Sequence, residues 1–158
     1  MSEKSKFNVE DIELDEIFII NANITNDTGV SNLIKGKYKH TITLEINPAM
    51  SKFHKNILKL GLEFNIDTES LDGNDPVNIK AKFDIAYFFR VKDLDIFVNE
   101  TDHTLDSDLI INLSNIAYST SRGIIYGKCQ GTILNKLVVP ILPTSKIASS
   151  IGLVFTPN

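Results

Sequence analysis

Three segments in the first part of the chain alternate apolar and polar residues with a period of two, and this alternation limits what the chain can fold into. The segments are YKHTITLEI at 38–46, LKLGLEFNID at 58–67 and VNIKAKFDIAYFF at 77–89. Successive side chains of a β-strand point to opposite faces of the sheet, so a period of two places the apolar residues on one face. Each segment is therefore predicted to be a strand with one buried face.

A fourth, less regular strand is predicted over Phe7–Ile20, with a bulge near Asp15 where the alternation slips. The polar stretch Asn21–Lys37 predicts a long crossover loop. The connector TESLDGNDP, residues 68–76, is rich in turn residues and predicts that the strands on either side are antiparallel neighbours. The first part of the chain is thus expected to form a four-stranded antiparallel sheet, with residues 1–6 disordered.

After Arg90 the pattern changes to a helical one. An acidic connector ends at Asp106 or Ser107, either of which can cap a helix predicted over Asp108–Gln130. Gly131 suits the end of this helix, and TSKIASSIG at 144–152 predicts a short second helix. TILNKLVVPILP between them is expected to be extended or irregular. The fold class is α+β in a single domain, residues 1–158. The apolar stripe of the long helix is predicted at three- and four-residue spacing: Leu109, Leu113, Ile116, Ala117, Thr120 and Ile124.

Glycines recur every four residues along the second half of the long helix, at Gly123, Gly127 and Gly131. Each glycine in a helix interior costs about 1 kcal/mol relative to alanine, so the pattern needs a compensating role. Residues four apart share a face, and Ala117 and Thr120 extend the same stretch of small side chains. We expect this smooth surface to be a contact between copies of the chain. The alternative is that the glycines admit the chain's own strands or its VVPILP segment.

Composition and charge exclude several classes of protein. The net charge is −4 and no run of basic residues is interleaved with aromatic ones, which argues against a nucleic-acid partner. No apolar run approaches 18 residues, and the N-terminus lacks an apolar signal region, so neither membrane insertion nor secretion is expected. A single cysteine, Cys129, fits a reducing cytoplasm.

No pattern in the chain requires a cofactor or a catalytic centre. Glycine-rich phosphate loops, paired catalytic carboxylates and a G-x-S-x-G elbow are absent from the sequence. The acidic connector between Asp93 and Asp108 lacks the glycine pivot and ligand spacing of a calcium loop. The protein is therefore predicted not to be an enzyme and to need no metal. The open alternative is a small cytosolic enzyme that uses Cys129 with one of the histidines.

The residues after the long helix are unusually apolar for a connecting segment. ILNKLVVPILP, together with the short second helix, carries more aliphatic side chains than a connector needs, Leu142 among them. Contiguous exposed apolar surface usually marks a binding site, so these residues are expected to line a groove at the sheet edge. The alternative is that they pack in the core, which would suit a purely structural assembly subunit.

The order of the elements and the segment NIAYSTSRGIIYGKCQGTILNKLVVPILP resemble the SecB family of protein-export chaperones. The resemblance covers roughly Phe7–Ile151 and is greater to divergent SecB-like proteins than to the export factor itself. Its most specific part is an aromatic residue, an arginine and a Gly-Thr pair along a helix, followed by a proline-ended apolar stretch. The residues that carry it are Tyr118, Arg122, Gly131, Thr132 and Pro140.

The resemblance implies a fold of four antiparallel strands with a long and a short helix, assembled as a dimer of dimers, a homotetramer with the long helices between the pairs. It implies a holdase that binds unfolded polypeptides in apolar grooves without ATP. By the same resemblance Ile42 and Leu44 match apolar positions of the groove, and Ile147 and Ile151 match an apolar lid on the short helix.

One surface departs from the family pattern. The resemblance places the acidic surface that contacts the SecA motor at Glu16, Ile20 and Lys82, of which only the first is acidic here. A lysine in place of an acid reverses the local attraction, so strong SecA binding is not expected. Two kinds of client stay open: secretory preproteins in protein export, or the antitoxin of a toxin–antitoxin module, which some SecB-like proteins protect.

Overall fold

The alternating segments form a four-stranded antiparallel sheet with strand order β1-β4-β3-β2 in the computed structural model. The structure describes residues 8–26, 38–70 and 78–152. The expected disorder of residues 1–6 and most of the two predicted connectors therefore lie outside the described residues. The strands are β1 Ile12–Asn26, β2 Tyr38–Met50, β3 Ile57–Ser70 and β4 Ile79–Val91. The predicted fold class is confirmed.

The period of two decides which face of the sheet is buried. In β3 every second residue from Leu58 to Ile66 is at most 1% exposed, and Phe83, Ile85 and Tyr87 of β4 lie on the same inner face. The residues between them form the outer face, which is largely polar. The core therefore sits on one side of the two central strands, as the alternation predicted.

Strand β1 differs in extent from its prediction. It begins at Ile12, after a short 3₁₀ turn at Val9–Asp11, and it runs on to Asn26 instead of ending at Ile20. The pairing slips between Leu14 and Glu16, which confirms the bulge near Asp15, and slips again between Ile19 and Asn21. After this second slip the alternation resumes: Ala22 and Ile24 pair with inner-face residues of β4, and the residues between and beside them are polar. The first six residues of the predicted loop are strand for that reason.

The helices lie where the sequence placed them. Helix α1 spans Ser107–Cys129 and helix α2 spans Thr144–Ser149, and the segment between them has no regular structure. Asp106 caps α1, because its carboxylate accepts hydrogen bonds from the backbone N–H groups of Asp108 and Leu109. Gly131 has φ +75°, a left-handed conformation that glycine adopts without strain. None of the described helices is long and apolar enough to cross a membrane.

The buried face of α1 is rotated from the predicted stripe. Ile116 is exposed and Thr120 is only partly buried, whereas Ser121 and Ile125 are fully buried. A serine can lie on the buried face because its hydroxyl is 2.6 Å from the hydroxyl of Tyr87 on β4, so both polar groups are satisfied. Small side chains thus face the sheet. The fully buried residues of this face are Leu109, Leu113, Ser114, Ala117, Ser121, Ile125 and Cys129.

Helix α1 packs on β3 and β4 and leaves the inner face of β1 partly open. Leu14, Ile17 and Ile19, which pair with inner-face residues of β4, are 39, 38 and 41% exposed. Because β1 is also an edge strand, an apolar strip and a row of backbone groups are presented together at this side of the sheet.

The cap of α1 can be tested by replacing Asp106. Asp106→Ala removes the acceptor for two backbone N–H groups and should lower the free energy of unfolding by about 1 kcal/mol. Asp106→Asn keeps a side-chain oxygen at the same place and should leave stability nearly unchanged. Urea unfolding followed by circular dichroism measures both. Equal destabilisation by the two variants would contradict the capping role.

Candidate functional site

Three of the residues that carried the family resemblance, Tyr118, Arg122 and Pro140, lie together on one side of α1. The hydroxyl of Tyr118 donates to the carbonyl oxygen of Pro140 at 2.8 Å, and Nε of Arg122 donates to the carbonyl oxygen of Val139 at 2.8 Å. The ring of Tyr118 also stacks on Phe64 of β3 with 5.9 Å between centroids. Burial raises the pKa of Tyr118, which keeps its hydroxyl protonated as a donor. These contacts hold the irregular segment beside the helix.

The apolar segment after α1 divides between core and surface. Leu134, Leu137 and Val139 are at most 2% exposed, so the expectation that the whole segment lines an open groove is wrong for them. They belong to the core cluster, and the hydrogen bonds from Arg122 and Tyr118 to the carbonyls of Val139 and Pro140 lie at the end of this buried stretch. Val138 and Ile141 are instead 62% and 80% exposed. Apolar side chains therefore remain on the surface of this segment.

The predicted client-binding residues are all placed by the structure. Ile42 and Leu44 lie on the inner side of β2, and each is half-buried against the core, as are Leu142 and Ile151. Ile147 on α2 is only 2% exposed, so its side chain is covered by the chain's own core and becomes accessible only if α2 moves. Whether these residues bind a client stays a prediction.

The chain after α2 pairs with the edge of β2. The N–H of Ile46 donates to the carbonyl oxygen of Ser150, and the N–H of Gly152 donates to the carbonyl oxygen of Ile46, both at 2.9 Å. This is a parallel bridge between Ile46 and Ile151. It places Ile151 two positions along from Leu44 at the outer edge of the strand. No local pattern in the sequence indicates this long-range pairing.

The exposed side of α1 carries two of the predicted interface glycines. A Cβ atom built on Gly123 or Gly127, or on Gly131 just beyond the helix, would have no described atom within 4 Å apart from its local neighbours. The alternative that the glycines admit the chain's own strands is therefore wrong within the described residues. Ala117 does not belong to this surface, because it is fully buried against the core. Thr120 is partly buried and borders it.

Two apolar residues flank this glycine surface. Ile116 and Tyr126 are both exposed large side chains of α1. Ile116 lies one helical turn before Thr120, and Tyr126 lies directly before Gly127. The surface therefore combines glycines, which have no side chain, with large apolar side chains beside them. This combination suits the close approach of another helix.

The proposed motor-facing residues lie toward the outer face of the sheet. Glu16 pairs with Phe88 on that face, and Lys82 binds the carboxylates of Glu63 and Asp84 at 2.9 and 3.9 Å. The hydrogen bond from Lys82 lowers the pKa of Glu63. Ile20 is 64% exposed at the second slip of β1. This region is therefore not a uniformly acidic surface.

Sequence reasoning missed a cleft at one end of the outer face. The cleft has a volume of about 430 Å³ and brings Asp15 and Arg90 together in an ion pair of 2.6 Å. Lys59 lies 6.0 Å from the ring centre of Phe88, which also contacts Phe18 edge-to-face at 5.7 Å. These residues come from three strands, so no local motif could have indicated the cleft.

Cys129, on which the enzyme alternative rests, is poorly placed for nucleophilic catalysis. Cys129 is fully buried, and burial raises the pKa of its thiol, which disfavours the thiolate that a nucleophile requires. Within residues 8–26, 38–70 and 78–152, no group of three or more His, Cys, Asp or Glu residues could hold a metal ion. Neither observation supports the enzyme alternative.

No protein-family model matches the sequence, and no curated protein matches it. Among solved structures, the chain is similar to the Mycobacterium tuberculosis SecB-like chaperone Rv1957 in complex with a ChAD peptide from the HigA1 antitoxin. The TM-score is 0.63 at 13% identity, over 85% of this chain and 91% of that chain.

The chain has the SecB-like fold. The resemblance inferred from Tyr118, Arg122 and the Gly-Thr pair is thereby confirmed at the level of the fold. The low identity to Rv1957 agrees with a divergent SecB-like chain. In this SecB-like fold the resemblance residues have a structural role, since two of them hold the segment that follows the long helix.

The Tyr118 contact can be tested by removing one hydroxyl. Tyr118→Phe leaves the Pro140 carbonyl without its donor, which should cost about 1 kcal/mol and increase local opening about fivefold. Hydrogen exchange of the amides in residues 138–142 should speed up accordingly. Tyr126→Phe, on the exposed side of the same helix, is the matched control and should change nothing. If amide exchange in residues 138–142 is the same in Tyr118→Phe as in the parent protein, the Tyr118 hydroxyl does not hold this segment beside α1.

Proposed function

We propose that this protein is an ATP-independent chaperone, a holdase that binds unfolded polypeptides. The single observation that carries the proposal is the SecB-like fold with half-buried apolar residues along an edge strand. Ile42 and Leu44 offer apolar contacts there, and Leu142 and Ile151 extend them near the end of the chain. Several weak apolar contacts along one extended client add up to tight but reversible binding. No cofactor takes part.

The client is the second part of the proposal. The solved SecB-like structure that this chain resembles holds a peptide from an antitoxin. The outer face here has Lys82 in ion pairs and an exposed Ile20 where binding of SecA calls for acids. Both observations favour an antitoxin client over a secretory preprotein handed to SecA. Protein export remains the second candidate, because both clients offer the same chemistry, an unfolded apolar chain.

The working form is proposed to be a cytoplasmic homotetramer, a dimer of dimers. Two apolar surfaces of the single chain support association: the glycine surface of α1, and the half-exposed strip on β1 at Leu14, Ile17 and Ile19. An exposed apolar edge strand invites pairing with another chain unless it is covered. Assembly through these surfaces would leave β2, at the opposite edge of the sheet, free for clients.

A charge at Ile42 tests the client site. Ile42→Asp places a carboxylate among half-buried apolar residues and should abolish suppression of aggregation of a chemically unfolded substrate protein. Thr43→Asp is the matched control, since the neighbouring side chain points to the outer face and should leave the activity intact. Light scattering of the aggregating substrate measures both. Full activity of Ile42→Asp would remove this residue from the site.

A bulky side chain on the glycine surface tests the assembly. Gly127→Leu has room in the single chain, so the fold should persist while the oligomer splits into smaller species. Lys128→Leu adds the same side chain at the next exposed position and should leave the mass unchanged. Multi-angle light scattering gives the masses. An unchanged mass for Gly127→Leu would contradict the interface.

The two rival classes are separated by simple treatments. An enzyme built on Cys129 should lose its activity on alkylation, whereas a holdase should keep suppressing aggregation. A structural subunit with a filled core should not bind a hydrophobic dye in its native state. A holdase should bind such a dye, and an unfolded client should displace it.

A further inference from the structure

The cleft at the end of the outer face is built from side chains of all four strands. By the strand registers, one row across the sheet is Glu16, Phe88, Lys59 and Ala49. In the adjoining row Arg90 pairs with Ile57. The volume of about 430 Å³ lies in the range of ligand-binding pockets, roughly 300–1,000 Å³. The cleft is on the opposite face of the sheet from Ile42 and Leu44.

Apolar surface inside the cleft comes from Phe88, Ile57 and Ala49. Phe88 and Ile57 are only partly buried, and the ring of Phe88 is supported on one side by its edge-to-face contact with Phe18. An apolar side chain of another molecule that enters the cleft leaves water and contacts these residues, which favours binding. The cleft can therefore accept an apolar anchor.

Lys59 brings a positive charge to the cleft that the described residues do not neutralise. Its ammonium group lies 6.0 Å from the ring centre of Phe88, and within residues 8–26, 38–70 and 78–152 no carboxylate lies within 4.0 Å of it. Lys82 on the same face is, by contrast, 2.9 Å from a carboxylate oxygen of Glu63. Because Lys59 is partly buried, an anionic group placed beside it is attracted more strongly than it would be in bulk water.

The hairpin between β2 and β3, residues 51–56, adds positive charge and an exposed aromatic ring beside the cleft. Lys52 and Lys55 are exposed, and Phe53 between them is 91% exposed. The hydroxyl oxygen of Ser51 accepts hydrogen bonds from the backbone N–H groups of Phe53 and His54 at 3.3 and 3.1 Å. These bonds shape the turn, and both Ser51 and His54 line the cleft.

Positive charges outnumber negative ones around the cleft. Its lining and the hairpin together carry the cations and acids Lys52, Lys55, Lys59, Arg90, Asp15 and Glu16. Asp15 is already paired with Arg90 at 2.6 Å. The whole chain, by contrast, has a net charge of −4. This end of the outer face therefore attracts an anionic partner more than the chain as a whole does.

We propose that the cleft and the hairpin together bind an acidic, amphipathic segment of a partner protein. An apolar side chain of this segment enters the cleft beside Phe88, and its carboxylates pair with Lys59 and the hairpin lysines. A nucleic acid fits less well, because Ile57 offers no polar contact and Glu16 repels phosphates. This second site lies on the face opposite the proposed client site and does not depend on it.

Charge reversal at Lys59 tests this site. The probe is a short fluorescently labelled peptide in which glutamates flank a pair of leucines, and fluorescence anisotropy gives its affinity. Lys59→Glu should weaken binding roughly tenfold or more, because like charges then face each other in the cleft. Lys59→Gln removes the charge without reversing it and should have a smaller effect in the same direction. Lys39→Glu, at an exposed position near the other end of β2, is the matched control and should leave the affinity unchanged.

Changes to the peptide separate the charged contribution from the apolar one. Glutamine in place of glutamate, or serine in place of leucine, should each weaken binding to the unaltered protein. Equal affinities of Lys59→Glu and Lys39→Glu for the acidic peptide, or no binding of that peptide at all, would overturn the proposal. Tighter binding of a single-stranded oligonucleotide of equal charge would also overturn it, in favour of a nucleic-acid partner. Lys59→Glu should still suppress aggregation of an unfolded substrate, so failure at this site is distinguishable from failure of the proposed function.

Discussion

One helix of limited width covers a sheet of four strands, and most other features of the molecule follow from that mismatch. Strands lie about 4.8 Å apart, and a helix with its side chains is about 10 Å wide, so one helix can shield about two strands. Here α1 shields β3 and β4, and the close approach depends on small buried residues such as Ala117 and Ser121. The inner faces of both edge strands are left with partly uncovered apolar residues.

The two uncovered edges differ in a way that suits two roles. At β1 the apolar residues Leu14, Ile17 and Ile19 lie on a long edge strand, which favours association with another copy. At β2 the half-buried residues Ile42 and Leu44 lie next to Ile46, which pairs with the chain's own Ser150 and Gly152. A chaperone needs both properties, a stable assembly and a site that stays unfilled.

The sequence predicted the strands well because alternation is a local signal. It predicted the α1 cap and the Asp15 bulge for the same reason, since each is set by neighbouring residues. The rotation of α1 was not predictable locally. Ser121 is buried because Tyr87, distant in sequence, meets its hydroxyl, and Ile116 is exposed as a result of that orientation. The pairing of Ile46 with Ser150 and Gly152, and the cleft between Asp15 and Arg90, likewise depend on residues brought together only by the fold.

The proposed function requires that apolar side chains at the β2 edge stay available to a foreign unfolded chain. Methyl NMR of the isoleucine-labelled protein, titrated with an unfolded client, tests it most directly. The methyl signals of Ile42 and Ile151 should shift, while those of the fully buried Ile79 and Ile85 should stay in place. Unshifted signals at Ile42 and Ile151 under conditions where the client is bound would contradict it.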